Sequence, residues 1–341
     1  MNTVRFGKTG LMASEVGFGG IPIIPLDFED AVKVVRHCFE RGITFLDTAN
    51  AYADSERKIG KALEGVREKV ILATKTGKRD AEGAAKHIGY SLENLRTDYI
   101  DIYQFHNIGN EKALEQILAP GGAYEAVGKA HEEGKIRNIG FSSHDIATAI
   151  KGCRTGRFST LQFPFNFIEK DPADELFKVA QDQDMGIIGM KPLGGGLLER
   201  ADLCMKFLQQ HQYVLPIPGI STIEEADEII ELYLSPKPLS DVDQKEIEQI
   251  HSELGSRFCH RCGYCLPCEQ GVMIPNVMSF RSQSRRFPPS VVVNMVKKAM
   301  ESVEECTDCG ECLERCPYSL EIPDLIKEHL SVYKEFEAQH A

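Results

Sequence analysis

The chain has no tryptophan, so no indole lines any site it carries. It has no run of eighteen apolar residues, which argues against a membrane-spanning helix. Basic residues are in deficit: 39 Lys and Arg stand against 51 Asp and Glu, leaving a net charge of −12. That balance argues against nucleic acid or an anionic membrane surface as a partner. Met1 to Gly10 carry no apolar signal-peptide core, so a cytoplasmic location is expected. No Gly-x-Gly-x-x-Gly follows the first candidate strand, where a doubly wound dinucleotide-binding sheet would place it. Low-complexity segments are absent too.

What is present is an ordinary globular composition, 42% hydrophobic and 26% charged, over 341 residues. That length holds one large domain and a small one. Eleven cysteines are unevenly spread. Eight lie in two runs, Cys259, Cys262, Cys265, Cys268 and Cys306, Cys309, Cys312, Cys316. The second run, closed by Pro317, fits C-x2-C-x2-C-x3-C-P, the spacing that wraps a [4Fe–4S] cluster. Spacing of this kind without an export signal reads as metal ligation, not disulfides. Structural zinc is the alternative, but it would leave cysteines over. Eight thiolates suffice for two clusters. Cys38, Cys153 and Cys204 stand alone and read as buried fillers.

Ahead of those runs, short apolar stretches alternate with helical patterns. Candidate strands are Val16–Phe18, Thr44–Asp47, Val70–Thr74, Ile100–Phe105, Asn138–Ser142, Thr160–Phe163, Gly186–Lys191 and Val214–Ile217. Glu29–Arg41, Ser55–Glu64 and Glu82–Leu95 carry apolar residues at helical spacing between them. Eight such strands predict a (β/α)8 barrel over 1–235, with Arg5–Ala13 as a hairpin plugging its base. Ser235-Pro-Lys-Pro238 is a break, and 236–341 forms a C-terminal extension. Within it Asp241–Leu254 is expected as a helix capped by Asp241, Pro289–Ser302 as a second, and Pro323–Phe336 as a terminal one.

In a parallel barrel, functional side chains gather at the C-terminal ends of the strands. Asp47, Lys75 and His106 lie at the ends of the second, third and fourth strands, and Tyr52 in the loop after the second. A free phenol, with a pKa of about 10, is a weak acid. A neighbouring ammonium favours its ionised form, and a carboxylate holds that ammonium in place. An imidazole can orient a carbonyl or relay a proton.

These residues carry a resemblance. Gly42-Ile-Thr-Phe-Leu-Asp47-Thr-Ala-Asn-Ala-Tyr52-Ala-Asp-Ser55-Glu56, with Lys75 and His106 in order behind it, resembles the signature of the aldo-keto reductases. The resemblance covers roughly 1–235. It implies reduction of an aldehyde or ketone, a small-molecule carbonyl substrate, by hydride from NADH or NADPH. Tyr52 would be the general acid, Asp47 and Lys75 its tuners and His106 the carbonyl orienter. For the nicotinamide it implies contacts from Ser142, Ser143 and Gln162, with Ser143 standing where the family has Asn. Met190 occupies the position of a stacking Tyr. Leu193 and Gly194, in a Gly-rich loop, and Gly219 and Ser221, after the eighth strand, fall at the cofactor's phosphates. That last segment lacks the Lys and Arg that grip a 2′-phosphate and carries Glu224 and Glu225 instead, which favours NADH.

The extension resembles a bacterial two-cluster ferredoxin, in which the last cysteine of each run ligates the other cluster. This implies one set of Cys259, Cys262, Cys265 and Cys316, and another of Cys268, Cys306, Cys309 and Cys312. Two clusters beside a hydride donor imply a redox partner protein, a purely structural tail, or a sensor or electron-transfer subunit without turnover. A flavin is the converter such a pairing could use. Substrate identity and oligomeric state are not legible.

Overall fold

The protein is described from a computed structural model covering residues 1–255, 257–261, 263–285 and 287–340. It divides into two compact units. The first comprises Met1–Gly194 and Arg200–Leu239; the second takes Gly195–Glu199 and the chain from Ser240 onward.

The first unit opens with an antiparallel hairpin, β1 (Thr3–Arg5) and β2 (Met12–Ser14). Eight parallel strands follow: β3 (Phe18–Gly19), β4 (Phe45–Asp47), β5 (Ile71–Thr76), β6 (Ile100–Phe105), β7 (Ile136–Ser142), β8 (Thr160–Pro164), β9 (Gly186–Met190) and β10 (Val214–Ile217). Each pairs with the next in sequence. The sheet closes on itself: Gly17 N–H donates to Pro216 O (2.9 Å) and Gly19 N–H to Pro218 O (2.8 Å). Closure needs glycine at position 19, where a Cβ would lie 2.9 Å from the Ile217 carbonyl oxygen. This is the (β/α)8 barrel the strand count predicts. The first strand starts two residues later than expected: Val16 O accepts from Ser14 Oγ, and Gly17 N–H is spent on Pro216 O across the closure.

Helices between the strands begin where the sequence supplies a cap. Asp80 accepts from Gly83 N–H (2.7 Å) at the start of Ala81–Leu95, and Asp145 from Thr148 N–H (2.7 Å) at the start of Ile146–Arg154.

Period-two alternation decides what fills the barrel. Phe45, Ile71, Ala73, Ile102, Ile188, Leu215 and Ile217 form its lower core together with Phe6 from the turn of the hairpin. The Phe6 ring meets Phe45 edge-on at 5.4 Å. Gly186 leaves room for it, since a Cβ there would sit 2.5 Å from the Phe6 ring. Arg5 pairs with Asp184, and Lys8 N–H donates to Asp184 O, fastening the hairpin outside the barrel floor.

The second unit is mainly helical: Asp241–Leu254, Ile274–Met278, Phe280–Ser284, Pro289–Glu301, Glu311–Glu314 and Ile322–His340. Val277, Phe280, Val292, Val296, Met300 and Ile326 form its core. The cap of Asp241–Leu254 is Ser240, not Asp241. Ser240 Oγ accepts from Asp243 N–H, and the Asp243 carboxylate accepts from Ser240 N–H. No helix among the described residues is long and apolar enough to cross a membrane.

Phe6→Ala empties the barrel floor. We expect it to lower the stability of the fold by about 3–5 kcal/mol, read from the urea midpoint at unchanged m-value.

Candidate active site

The alternation that makes the barrel floor apolar makes its upper rim polar. Two residues beyond Phe45 on the same face lies Asp47; beyond Ala73 lies Lys75; beyond Ile102 lie Gln104 and then His106. Lys75 pairs in register with Gln104, and Ser142 with Gln162.

Lys75 Nζ donates to Asp47 Oδ1 at 2.6 Å and to the Thr48 carbonyl at 2.7 Å. Both side chains are almost wholly buried. Gln104 Nε2 donates to Asp47 Oδ2 (3.2 Å), and Gln162 Nε2 lies 3.4 Å from Asp47 Oδ1. Burial pushes the Asp47 carboxyl above its ordinary range; Lys75, then Gln162 and Gln104, pull it back. The Oε1 atoms of both glutamines are buried without a hydrogen-bond partner.

The Tyr52 ring stands over this pair. Lys75 Nζ lies 5.2 Å from its centroid, and the His106 ring meets it edge-on at 5.6 Å. The structure therefore brings all four expected catalytic side chains together. Burial, reinforced by Lys75, Arg79 and Lys191, pushes the His106 imidazole down to about 3. It is neutral at physiological pH, with an N–H to offer an oxygen.

The floor of the loop is fastened by Lys58, whose Nζ donates to the carbonyls of Ile23, Ile24 and Leu26. Glu56, next to it, accepts from Thr74 and Ser91 hydroxyls inside the wall.

The expected nicotinamide contacts are more scattered. Ser142 Oγ accepts from Asn107 N–H (2.8 Å). Ser143 Oγ donates to Ile108 O (2.7 Å) and accepts from Asp145 N–H (3.1 Å), so its hydroxyl is engaged in shaping the loop. Met190 is half-buried against the barrel core. Gly194 closes a turn on Lys191 O (2.8 Å), with Leu193 half-buried beside it. Gly194, Gly195 and Gly196 all have positive φ, a backbone path that favours glycine. Gly219 packs against Pro22, where a Cβ would meet the ring at 2.5 Å. After β10 the Glu225 carboxylate accepts from the N–H groups of Ser221 (2.7 Å) and Thr222 (3.3 Å) and from Ser221 Oγ (2.8 Å). It thus completes a capping box on helix Ile223–Leu234 and places negative charge at that helix's start.

In the second unit the cysteines line two cavities. Cys265, Cys268, Cys306, Cys309 and Cys312 border one. Cys259, Cys265 and Cys316 border the other. Cys262 lies outside the described residues. Burial raises the Cys312 thiol above its ordinary value, and Cys306, Cys309 and Cys268 raise it further, which marks the four as neighbours. The two runs share a backbone path: Arg261 and Gly263 in one, Asp308 and Gly310 in the other, take positive φ at matching positions. Among the described residues no three His, Cys, Asp or Glu side chains converge as ligands of a single ion. A cubane takes one thiolate at each of four irons, and Cys268, Cys306, Cys309 and Cys312 around one cavity match that number.

Sequence reasoning missed Gln104, Arg79, His144 and Lys191. Gln104 lies two residues before His106 on the same inward row, so the period-two rule was the signal for it. His144 and Lys191 follow the ends of β7 and β9 and were open to the same strand-end argument.

A closed parallel barrel with its buried ion pair, phenol and imidazole at the C-terminal rim belongs to the class of (β/α)8 enzymes. Residues 15–204 match the model of the aldo/keto reductase family, and residues 258–321 that of a 4Fe-4S dicluster domain. The chain is a member of the aldo/keto reductase family. It is 31% identical over 217 residues to aldo-keto reductase YhdN of Bacillus subtilis, covering 58% of this chain and 64% of that one. It is 28% identical over 212 residues to probable aldo-keto reductase 1 of Glycine max, covering 57% and 60%. The chain thus spans less than two thirds of either relative. The holo form of aldo-keto reductase AKR11C1 from Bacillus halodurans shares the fold at a TM-score of 0.63 and 24% identity, over 73% of this chain and 96% of that one. An aldo-keto reductase from Klebsiella pneumoniae in complex with NADPH does so at 0.63 and 23%, over 73% and 95%.

The neutral His106 makes a pH prediction. The unfolded chain binds a proton at this imidazole near pH 6.5, the folded one only near 3. Its contribution to stability is therefore full above pH 6.5 and declines as pH falls toward 3. NMR should find the ring unprotonated at pH 5; a midpoint near 6.5 would mean a solvated imidazole.

Proposed function

We propose that the chain is an NADH-dependent reductase of a carbonyl substrate that also carries two [4Fe–4S] clusters. The observation that carries this reading is the convergence of Tyr52, Lys75, Asp47 and His106 on one rim.

When bound, the nicotinamide supplies a hydride to the carbonyl carbon. Tyr52 gives its phenolic proton to the carbonyl oxygen, so aldehyde, hydride and proton balance as an alcohol. Lys75 beside the ring favours the phenolate left behind, and Asp47 keeps Lys75 in place. His106, uncharged, donates a hydrogen bond that orients the carbonyl. Water returns the proton to Tyr52. The buried, unpartnered Oε1 of Gln162 suits a carboxamide N–H of the cofactor, and Ser142 lies level with it on the next strand. Met190 would face the ring, while Leu193, Gly194, Gly219 and Ser221 border the path of the phosphates. Glu225 supports NADH: it occupies the backbone N–H groups of Ser221 and Thr222 and would repel a 2′-phosphate.

For the clusters, the two cavities support the crossed sets, Cys259, Cys262, Cys265 and Cys316 against Cys268, Cys306, Cys309 and Cys312. Each cluster passes one electron and the nicotinamide passes two as hydride, so direct exchange is unfavourable. Hydride transfer by the quartet needs no flavin. Cys309 is exposed, which supports exchange between its cluster and a redox partner protein.

Tyr52→Phe should lower carbonyl reduction about 10²–10⁴-fold with the iron–sulfur absorbance intact, and the wild type should show a higher KM for NADPH than for NADH. Unchanged turnover in the variant would refute the reading. For the crossed sets, Cys268→Ser and Cys309→Ser should each reduce iron from about eight to about four per chain, and together no further. Adding Cys259→Ser should remove the rest. Additive loss from the first two would reject the pairing.

A further inference from the structure

Arg79 sits on the loop after β5, half-buried at the rim beside His106. Its Nη2 donates to the carbonyls of His106 (2.7 Å) and Asn107 (2.9 Å). Its Nη1 is shielded from water and has no hydrogen-bond partner among the described residues. Among the described residues no carboxylate pairs with it. The charge is therefore partly stripped of water and is compensated only by two neutral carbonyls. Burial alone pulls its pKa below the ordinary value, with no acid raising it. A buried cation left this way is unfavourable in the ligand-free protein, and an anion is what would relieve it.

The segment it hangs from is braced. Asn107 Oδ1 lies 3.1 Å from His144 Nδ1, and His144 Nε2 lies 2.6 Å from Lys191 Nζ. An ammonium only donates, so Nε2 accepts and Nδ1–H donates to Asn107. Asn107 and Lys191, neither of them glycine, both take positive φ, at 54° and 56°. Strain of this kind persists where the surrounding structure holds it, and it clusters at ligand sites. Gly77, two residues before Arg79, faces open space: a Cβ there would have nothing within 4 Å.

Building on the reductase reading, we infer that Arg79 binds an anionic group of the substrate, so the carbonyl compound reduced here carries a carboxylate or a phosphate. The guanidinium is tied to the backbone of the residue whose imidazole orients the carbonyl. An anion on Nη1 therefore fixes the substrate at a second point, and discrimination against an uncharged analogue follows from leaving Arg79 unpaired.

The test uses the cluster-loaded full chain with NADH. Butanal is compared with 4-oxobutanoate, and glyceraldehyde with its 3-phosphate. The wild type should favour one charged member at least tenfold in kcat/KM, mainly through KM, and the pair with the larger ratio identifies the anion. Arg79→Gln should reduce that ratio at least tenfold, and Arg79→Lys should restore part of it. Equal losses on charged and neutral substrates would make Arg79 a backbone clamp and overturn the inference, as would a wild type that reduces both without preference. A wild type that reduces none of the four refutes the reductase reading and this inference with it. Binding gives an independent readout: the non-reducible anions succinate and inorganic phosphate are titrated by thermal shift. A rise in Tm for one of them in the wild type, lost in Arg79→Gln at matched ligand-free Tm, supports the assignment. No rise with either opposes it.

Discussion

The ion pair between Lys75 and Asp47 is the constraint on which the rim depends. Two opposite charges lie almost wholly out of water at 2.6 Å. Removing either would leave an uncompensated buried charge, a change worth about 3–5 kcal/mol. The pair is tolerable because hydrogen bonds from the surrounding strands satisfy both charges. Lys75 has the Thr48 carbonyl as well as Asp47, and Asp47 has Gln104 on its second oxygen. Those partners come from three adjacent strands, so the closed sheet must hold its register for the pair to exist. Burial keeps the imidazole of His106 neutral, and the positive charge of Lys75 adds to it.

The second unit works on a different principle. It is built of helices of 4 to 19 residues around its own apolar core, and its described cysteines border two cavities that share Cys265. Much of its order is expected to come from what the thiolates hold, because metal binding energy in such domains is folding energy. The repeat of positive φ at Arg261 and Gly263 and again at Asp308 and Gly310 is the structural counterpart of the sequence repeat. In both runs this left-handed path turns the chain between successive cysteines.

Most of the barrel was legible because its strands are short apolar runs punctuated by capped helices, a pattern that period and turn chemistry disclose. The quartet was legible because each member sits at or after a strand end. What stayed hidden depends on partners distant in sequence. The engagement of Ser143 by Ile108 and Asp145 cannot be read from a Gly-x-Ser-Ser segment. The role of Ser240 in place of Asp241 turned on which oxygen reaches Asp243 N–H, a matter of backbone geometry. Arg79 looks like a solvated loop charge in the sequence, and only the fold shows that its Nη1 has lost water. The start of β3 shifted because the N–H of Gly17, just ahead of it, is claimed by Pro216 O in the closure.

The hairpin under the barrel carries a consequence for biosynthesis. Phe6 packs against residues from as far along the chain as Leu215 and Ile217, and β3 closes only on the segment after β10. Residues 1–20 therefore have no finished surface to dock on until some two hundred further residues have been synthesised. At about 5–20 residues per second that interval is on the order of ten to forty seconds. Phe6 and Phe18, both buried in the finished barrel, lack their native partners throughout it. Circular permutation that moved the hairpin after β10 would shorten the wait without altering the native barrel.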